Sequence, residues 1–99
     1  VYMTEDRDDG VLYRFLPRTP GRLAEGGRLQ ALAAASGLVD SRNWSAPEIA
    51  VGQSIEVRWI DLDDVEAPKD DLRLRAAAGG ALLVARGEGI HWGEDAAYI

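Results

Sequence analysis

The chain has 99 residues, 46% of them apolar, and carries a formal net charge of −6 at pH 7. These figures fit one domain of ordinary globular composition and argue against a disordered chain. The acidic balance leaves no basic stripe for nucleic acid, and no apolar run approaches the roughly eighteen residues of a membrane span. Cysteine is absent, which excludes a disulfide framework and a thiolate metal site among these residues.

The first predicted elements are two strands at residues 1–4 and 11–16, which are rich in β-branched, aromatic and other apolar side chains. The acidic segment between them ends in Asp9-Gly10, a dipeptide typical of hairpin turns. Residues 28–33 follow a pair of glycines. Their alanine content favours a helix, whereas the bounding glycines and the short length favour a strand. We predict the strand.

The middle of the chain begins with a loop, predicted at residues 35–54. Residues 55–60 alternate apolar and charged side chains, which predicts a half-buried strand. An acidic connector follows and leads into a short helix predicted at 71–78. Asp70 or Asp71 is expected to cap this helix, and a pair of glycines ends it.

Two more strands, at 82–86 and 96–99, are predicted to flank a glycine-rich turn. Short strands separated by turns, with one helical insert, predict a mainly β fold that is a piece of a sandwich, barrel or propeller. Such a unit standing alone would leave open sheet edges. Because the chain starts and stops within apparent strands, we expect residues 1–99 to be a single region of a larger domain, an internal fragment of a longer protein.

The glycine-rich turn, residues 86–89, holds the first candidate site. Alternation along a strand would point Arg86 and Glu88 to the same face, where both could serve one ligand. An arginine can clamp an oxyanion through two parallel hydrogen bonds, and a glutamate is a natural ligand for a hard cation. Spacing alone still favours an ordinary solvated turn that carries two charges.

Other clusters have competing interpretations. Glu5 and Asp6, with two more aspartates nearby, form an acidic loop that could chelate Ca²⁺, although the spacing differs from an EF-hand and acidic hairpin tips are common. His91 is the only histidine, so a histidine pair or triad cannot form within these residues. It is either a packing residue or a substrate contact, and packing is the favoured interpretation.

Several stretches, in order and over nearly the whole chain, carry a resemblance to one family. Residues 1–6 and 10–17 resemble its strand pair V-Y-x-T-E-D … G-x-L-Y-R-F-x-P, and residues 26–32 look like the segment that follows. Residues 59–64 and 85–89 are similar to its later blocks W-x-D-x-D-D … R-x-E-G. The family is that of the PhoX-type alkaline phosphatases, which are β-propellers with iron and calcium at the mouth of a central channel.

The resemblance implies roles for particular residues. Arg86 matches an arginine that contacts substrate phosphate, and Glu88 matches a metal-ligating glutamate beside it. Glu5 and Asp6 fall where the family has an acidic pair at a strand end, which implies a metal role there as well. His91 is kept as a candidate substrate contact. The implied cofactors are calcium and iron, and the implied location is periplasmic or secreted.

These expectations combine into one functional hypothesis. The chain is expected to form about one to two antiparallel blades of a β-propeller that hydrolyses phosphate esters with the help of metals. The family's cysteine ligand has no counterpart here, so the remainder of the polypeptide must supply it, and the fragment alone is not expected to be active. The alternatives are a non-catalytic propeller that binds or scaffolds, and a calcium-dependent propeller of lactonase or phosphotriesterase type.

Overall fold

A computed structural model describes residues 1–99. Its main feature is one antiparallel sheet in which each strand pairs with the next along the chain, in the order β1-β2-β3-β4. The four strands are β1 (Tyr2–Met3), β2 (Tyr13–Pro17), β3 (Gly27–Ala34) and β4 (Val57–Asp61).

The remaining elements are short. The helix α1 (Leu72–Ala78) follows the sheet, and a separate two-stranded hairpin of β5 (His91–Gly93) and β6 (Ala96–Tyr98) ends the chain. No helix has the length and apolar character needed to cross a bilayer. The mainly β class with one helical insert is therefore confirmed, and α1 lies where the sequence predicts a helix.

The core forms on one face of the sheet. Tyr13 lies opposite Ala31, and Ala31 lies opposite Ile60, so these three side chains line up across β2, β3 and β4. Ala76 of α1 packs against this row, and the small alanine side chains allow a close approach of helix and sheet. The remaining members of the cluster are Val11 and Ala81, flanked by Leu29, Leu62, Leu72 and Leu83.

This core is small for the length of the chain. Only 12 of the 99 residues are buried. The radius of gyration is 13.9 Å, whereas a compact domain of this length would have about 12.6 Å. The outer edges of β1 and β4 have no further strand beside them. The chain therefore exposes unusually much backbone and apolar surface.

The strand predicted at 82–86 is wrong. Leu83 makes only isolated bridges, to Val11 and to Asp40. The segment instead crosses the end of the sheet, where Leu82 N–H donates to the carbonyl of Leu32 at 2.8 Å. Ala81 and Leu82 are both buried. A run of apolar residues indicates a buried segment. A run this short does not show whether the buried segment is a strand or an irregular connection.

The other strand predictions fare better. The first two predicted strands do pair, with Tyr2 opposite Arg14 and Met3 opposite Tyr13. Residues 28–33 lie within β3, so the choice of strand over helix is confirmed. The strand predicted at 96–99 corresponds to β6, but its partner is β5, which the sequence does not predict, rather than residues 82–86.

Candidate functional site

The turn at Arg86 is the centre of the candidate site. Arg86 itself takes the left-handed conformation, with φ of 59°, which disfavours a residue with a Cβ by about 1–2 kcal/mol. Its N–H donates to the carbonyl of Arg7 at 2.8 Å, and this bond holds the turn against the acidic loop. Residues 86 and 88 lie outside any strand. The expectation that strand alternation aligns their side chains is therefore wrong.

Asp6 contacts the Arg86 side chain. The distance from Arg86 Nε to Asp6 Oδ1 is 3.0 Å, and both side chains are about half exposed. A solvent-exposed pair of this kind contributes little to stability. It brings the guanidinium beside the acidic loop, and the two terminal nitrogens make no hydrogen bond within the chain. Their N–H donors remain available to a bidentate anion.

Glu88 lies one residue further along, with an exposed side chain. Its backbone carbonyl accepts a hydrogen bond from Thr4 Oγ1, which joins the turn to the end of β1. A Cβ at Gly87 would lie 3.4 Å from Thr4 Cβ and 3.8 Å from the Glu5 backbone nitrogen. These are ordinary van der Waals distances, so the turn and the end of β1 lie in direct contact. The carboxylate of Glu88 makes no ion pair.

Glu5 is oriented by a neighbour in β2. Tyr13 Oη donates to Glu5 Oε2 at 2.9 Å. Burial raises the pKa of the Tyr13 hydroxyl, and the hydrogen bond to Glu5 raises this pKa further, so the tyrosine stays protonated and donating. The other oxygen, Oε1, lies 3.9 Å from Arg73 Nη1, a long ion-pair distance.

Arg73 lies next to the candidate site, and the sequence gives no sign of its involvement. This α1 residue is 8% exposed. Its Nε donates to Asp9 Oδ1 at 2.9 Å, and its Nη1 donates to Asp70 Oδ1 at 3.2 Å. The hydrogen bond from Arg73 holds the pKa of Asp9 below its usual value. Asp9 is 64 residues away in sequence, so no local pattern could have identified the pair.

His91 lies in β5, outside the group formed by Arg86 and the acidic loop. It is exposed and lines a small cavity of about 220 Å³ with Tyr2, Ile90, Trp92 and Ala97. This cavity contains none of the other candidate site residues. A role in packing or in substrate contact therefore stays a prediction for His91.

The carboxylates of the candidate site are suitable ligands for a hard cation, but there are too few of them to complete a coordination shell. Calcium prefers six to eight oxygen ligands, and no three acidic or histidine side chains of this chain are arranged so that they could hold a metal ion. Glu5 and Glu88 lie on adjoining segments, and Asp6 is engaged by Arg86. A complete calcium or iron site therefore requires ligands from outside these residues.

The candidate site residues Arg86, Glu88, Glu5 and Asp6 do not line a pocket. They lie on an exposed edge of the chain, which we call the rim. The largest concave surface, of about 730 Å³, lies on the sheet face beside Phe15, Leu29 and Leu62. Neither Arg86 nor the acidic residues near it line this groove. The groups capable of binding phosphate and metal are thus presented at one exposed edge of the chain.

Comparison with known proteins supports the resemblance seen in the sequence. The sequence profile described as "Alkaline phosphatase PhoX" matches residues 1–99, which is the whole chain. No curated protein and no solved structure matches. Because the profile spans every residue, including both segments of the rim, the chain belongs to the PhoX alkaline phosphatase family.

Proposed function

We propose that this chain contributes the phosphate-binding and metal-binding rim of a metal-dependent phosphatase that hydrolyses phosphoric esters. Arg86 binds the phosphoryl oxygens, Glu88 faces a metal ion, and the acidic loop completes this part of the rim. Membership of an alkaline phosphatase family supports the general class of reaction. The assignment of residues rests on one observation. Arg86 and Glu88 are exposed on a single turn that adjoins Glu5.

The 99 residues are, in this proposal, about one to two blades of a larger β-propeller. A propeller blade is a sheet of four antiparallel strands, which is the composition of the β1–β4 sheet. Neighbouring blades packed against the faces of this sheet would explain its small core and its large radius of gyration. The exposed Trp92 and Ile99 of the final hairpin region also gain a partner in this arrangement.

Arg86 provides charge stabilisation in the proposed reaction. The Asp6 carboxylate lies against Nε, and the terminal nitrogens keep their donors for a ligand. Two N–H groups can then bind two equatorial oxygens of the phosphoryl group. As negative charge builds up on these oxygens in the transition state, a preorganised cation stabilises it without further rearrangement.

Calcium and iron are the proposed cofactors, and when bound they polarise the phosphoryl oxygen and offset the negative charge of the chain. Glu88 is the first proposed ligand because its carboxylate is exposed and unpaired. Glu5 is the second, since Tyr13 orients one oxygen in the way that outer partners orient metal-binding carboxylates. Asp6 would have to leave Arg86 to bind a metal, so we propose that it holds the arginine.

The test uses the full-length protein, assayed on a phosphate monoester with calcium and iron supplied. Removing Arg86 with Arg86→Ala is expected to lower kcat/KM by about 10²–10³, as for the loss of one oxyanion donor. Glu88→Gln keeps the size of the side chain but removes the charge, and it is expected to lower both metal content and activity. Unchanged activity in both variants would refute the assignment.

A non-catalytic scaffold is the second candidate, and the Arg86–Asp6 ion pair is the observation that favours it. In that case the two side chains only brace the turn. Elemental analysis of the purified full-length protein separates the two proposals. Stoichiometric calcium or iron supports the phosphatase, whereas a stable protein free of metal supports the scaffold. Hydrolysis of a lactone or a phosphotriester instead of a monoester would indicate the related calcium-dependent chemistry.

Two further parts of the proposal concern His91 and location. His91 is proposed to contact the alcohol portion of the substrate, because its cavity with Tyr2 and Trp92 is largely apolar. A periplasmic or secreted location follows from the family resemblance. Cell fractionation of the full-length protein tests the location. The proposed contact is tested by comparing the KM of His91→Ala for an aromatic phosphate ester with its KM for a small aliphatic one.

A further inference from the structure

The charged group with the least solvent exposure in the chain is Arg73. Its residue is 8% exposed, and the carboxylates around it come from two separate segments. Glu5 and Asp9 belong to the acidic loop, and Asp70 precedes α1. A charge removed from water is stable only when it is paired and hydrogen-bonded. The acidic loop therefore supplies much of what allows Arg73 to be buried.

The same contacts restrain the loop. Arg73 Nε binds Asp9 at the far end of the loop, and Arg73 Nη1 faces Glu5 at its beginning. A second cation, Arg7 within the loop, binds Asp70 at 3.0 Å. These contacts connect the end of the loop to Arg73 of α1 and its middle to Asp70 just before α1, with Glu5 at its start facing Arg73 at 3.9 Å.

The opposite side of the loop holds Arg86. Asp6 pairs with the guanidinium, and the carbonyl of Arg7 accepts the Arg86 N–H at 2.8 Å. The same carbonyl accepts the Gly10 N–H at 3.1 Å. The contacts of Arg86 with the loop are therefore both made by residues that lie between the attachment points of Arg73.

We propose that Arg73 is a positioning residue for Arg86, acting through the Glu5–Asp9 loop that lies between them. The proposal rests on the phosphate-binding role of Arg86 proposed above. The planar fork of arginine is required, because Nε and Nη1 bind different carboxylates at the same time. A lysine in its place keeps the charge but offers a single nitrogen, so it cannot replace both the Nε bond to Asp9 and the Nη1 contacts with Asp70 and Glu5.

The test compares Arg73→Lys with Arg75→Lys in the full-length protein. Arg75 is a matched control, since it also lies in α1 and binds Asp71 and two backbone carbonyls, but makes no contact with the acidic loop. We expect Arg73→Lys to speed hydrogen exchange at the Arg86 and Gly10 amides and to lower kcat/KM about tenfold, as for loss of a partner in the outer shell of a site. Arg75→Lys is expected to change neither quantity by more than about twofold.

A double-mutant cycle shows whether Arg73 acts through Arg86. In the Arg86→Ala background, Arg73→Lys is expected to have no further effect on kcat/KM, because the positioned group is already missing. Equal losses in the two backgrounds would overturn the proposal, and so would exchange at the Arg86 amide that matches Arg75→Lys. Asp9→Ala removes the same attachment from the side of the loop, so it repeats the test if Arg73→Lys folds poorly.

The outcome also separates this proposal from the function on which it rests. Faster exchange at Arg86 in a protein without phosphatase activity supports the structural coupling and refutes the proposed function. Activity that is lost in Arg86→Ala but equal in Arg73→Lys and Arg75→Lys supports the proposed function and refutes the role of Arg73.

Discussion

The sheet with its helix and the final hairpin are stabilised in different ways. In the first region, side chains such as Val11 and Ala31 are buried between β2, β3 and α1. In the second, β5 and β6 pair only with each other, and Trp92 remains 64% exposed. A lone two-stranded hairpin is marginal in water. The Arg86 turn lies at the junction, attached to the well-packed region and facing outward. A site placed there has a rigid support on one side and access on the other.

The largest expected difference is in the tolerance of an added methyl group at two glycines, one in the packed region and one at the end of the Arg86 turn, next to the hairpin. A Cβ at Gly10 would lie 2.5 Å from the Glu5 carbonyl oxygen, whereas nothing lies within 4 Å of a Cβ at Gly89. Because the clash at Gly10 is with backbone, we expect Gly10→Ala to lower the free energy of unfolding by about 3 kcal/mol. Gly89→Ala should change it by less than about 0.5 kcal/mol. Urea denaturation of the full-length variants measures both, and equal effects would contradict the comparison.

A smaller difference is expected between two valines. Val11 is 2% exposed in the core, while Val51 is fully exposed in the long loop. Val11→Ala removes two buried methyl groups and should cost about 2 kcal/mol of unfolding free energy. Val51→Ala makes the same chemical change and should stay within about 0.5 kcal/mol. A cost at Val51 that matches the cost at Val11 would show that the loop packs against other parts of the full-length protein.

The smallest predicted effect concerns pH and the segment that leads into the rim. The Arg42 guanidinium, through its hydrogen bonds to the carboxylate, lowers the pKa of Asp40 from 3.8 to about 2. Asp40 also forms a bridge with Leu83, just before the turn. A depressed pKa in the folded state means that this stabilisation is present above about pH 4 and is lost as the pH falls toward 2.

Asp40→Asn should therefore flatten the acid limb of a plot of unfolding midpoint against pH. Glu94→Gln is a suitable control, since Glu94 is an exposed residue of the hairpin turn. An acid limb that is the same in Asp40→Asn and in the unsubstituted protein would contradict the assignment of this pair.

The strands of the main sheet could be predicted because their signals are local. Alternation at residues 55–60 and the glycines before β3 indicate elements that the structure contains. The hairpin at the end was only half predicted. Its turn is Glu94-Asp95, and both residues have positive φ without a glycine between the strands to signal it. The crossing at 82–86 was misassigned because its apolar side chains serve burial and not strand pairing.

In the candidate site, too, local features could be predicted from the sequence and long-range contacts could not. Arg86 and Glu88 could be selected from a five-residue pattern, although nothing in that pattern shows that Arg86 takes the left-handed conformation. The partner of Arg86 is Asp6, 80 residues earlier in the chain, and Asp9, which binds Arg73, lies 64 residues before it. Contacts of this kind depend on how the sheet brings distant loops together. Sequence motifs and composition do not indicate which distant loops come together.

The central claim is that Arg86 binds the phosphoryl group from its place on the rim. The most direct measurement is kcat/KM for a phosphate monoester in the full-length protein, comparing Arg86→Ala with Arg22→Ala. Arg22 is an exposed arginine that pairs with Glu25 and makes no ion pair with a residue of the rim. We predict a loss of about 10²–10³ for Arg86→Ala and less than about twofold for Arg22→Ala. Equal and small effects in the two variants would contradict the claim.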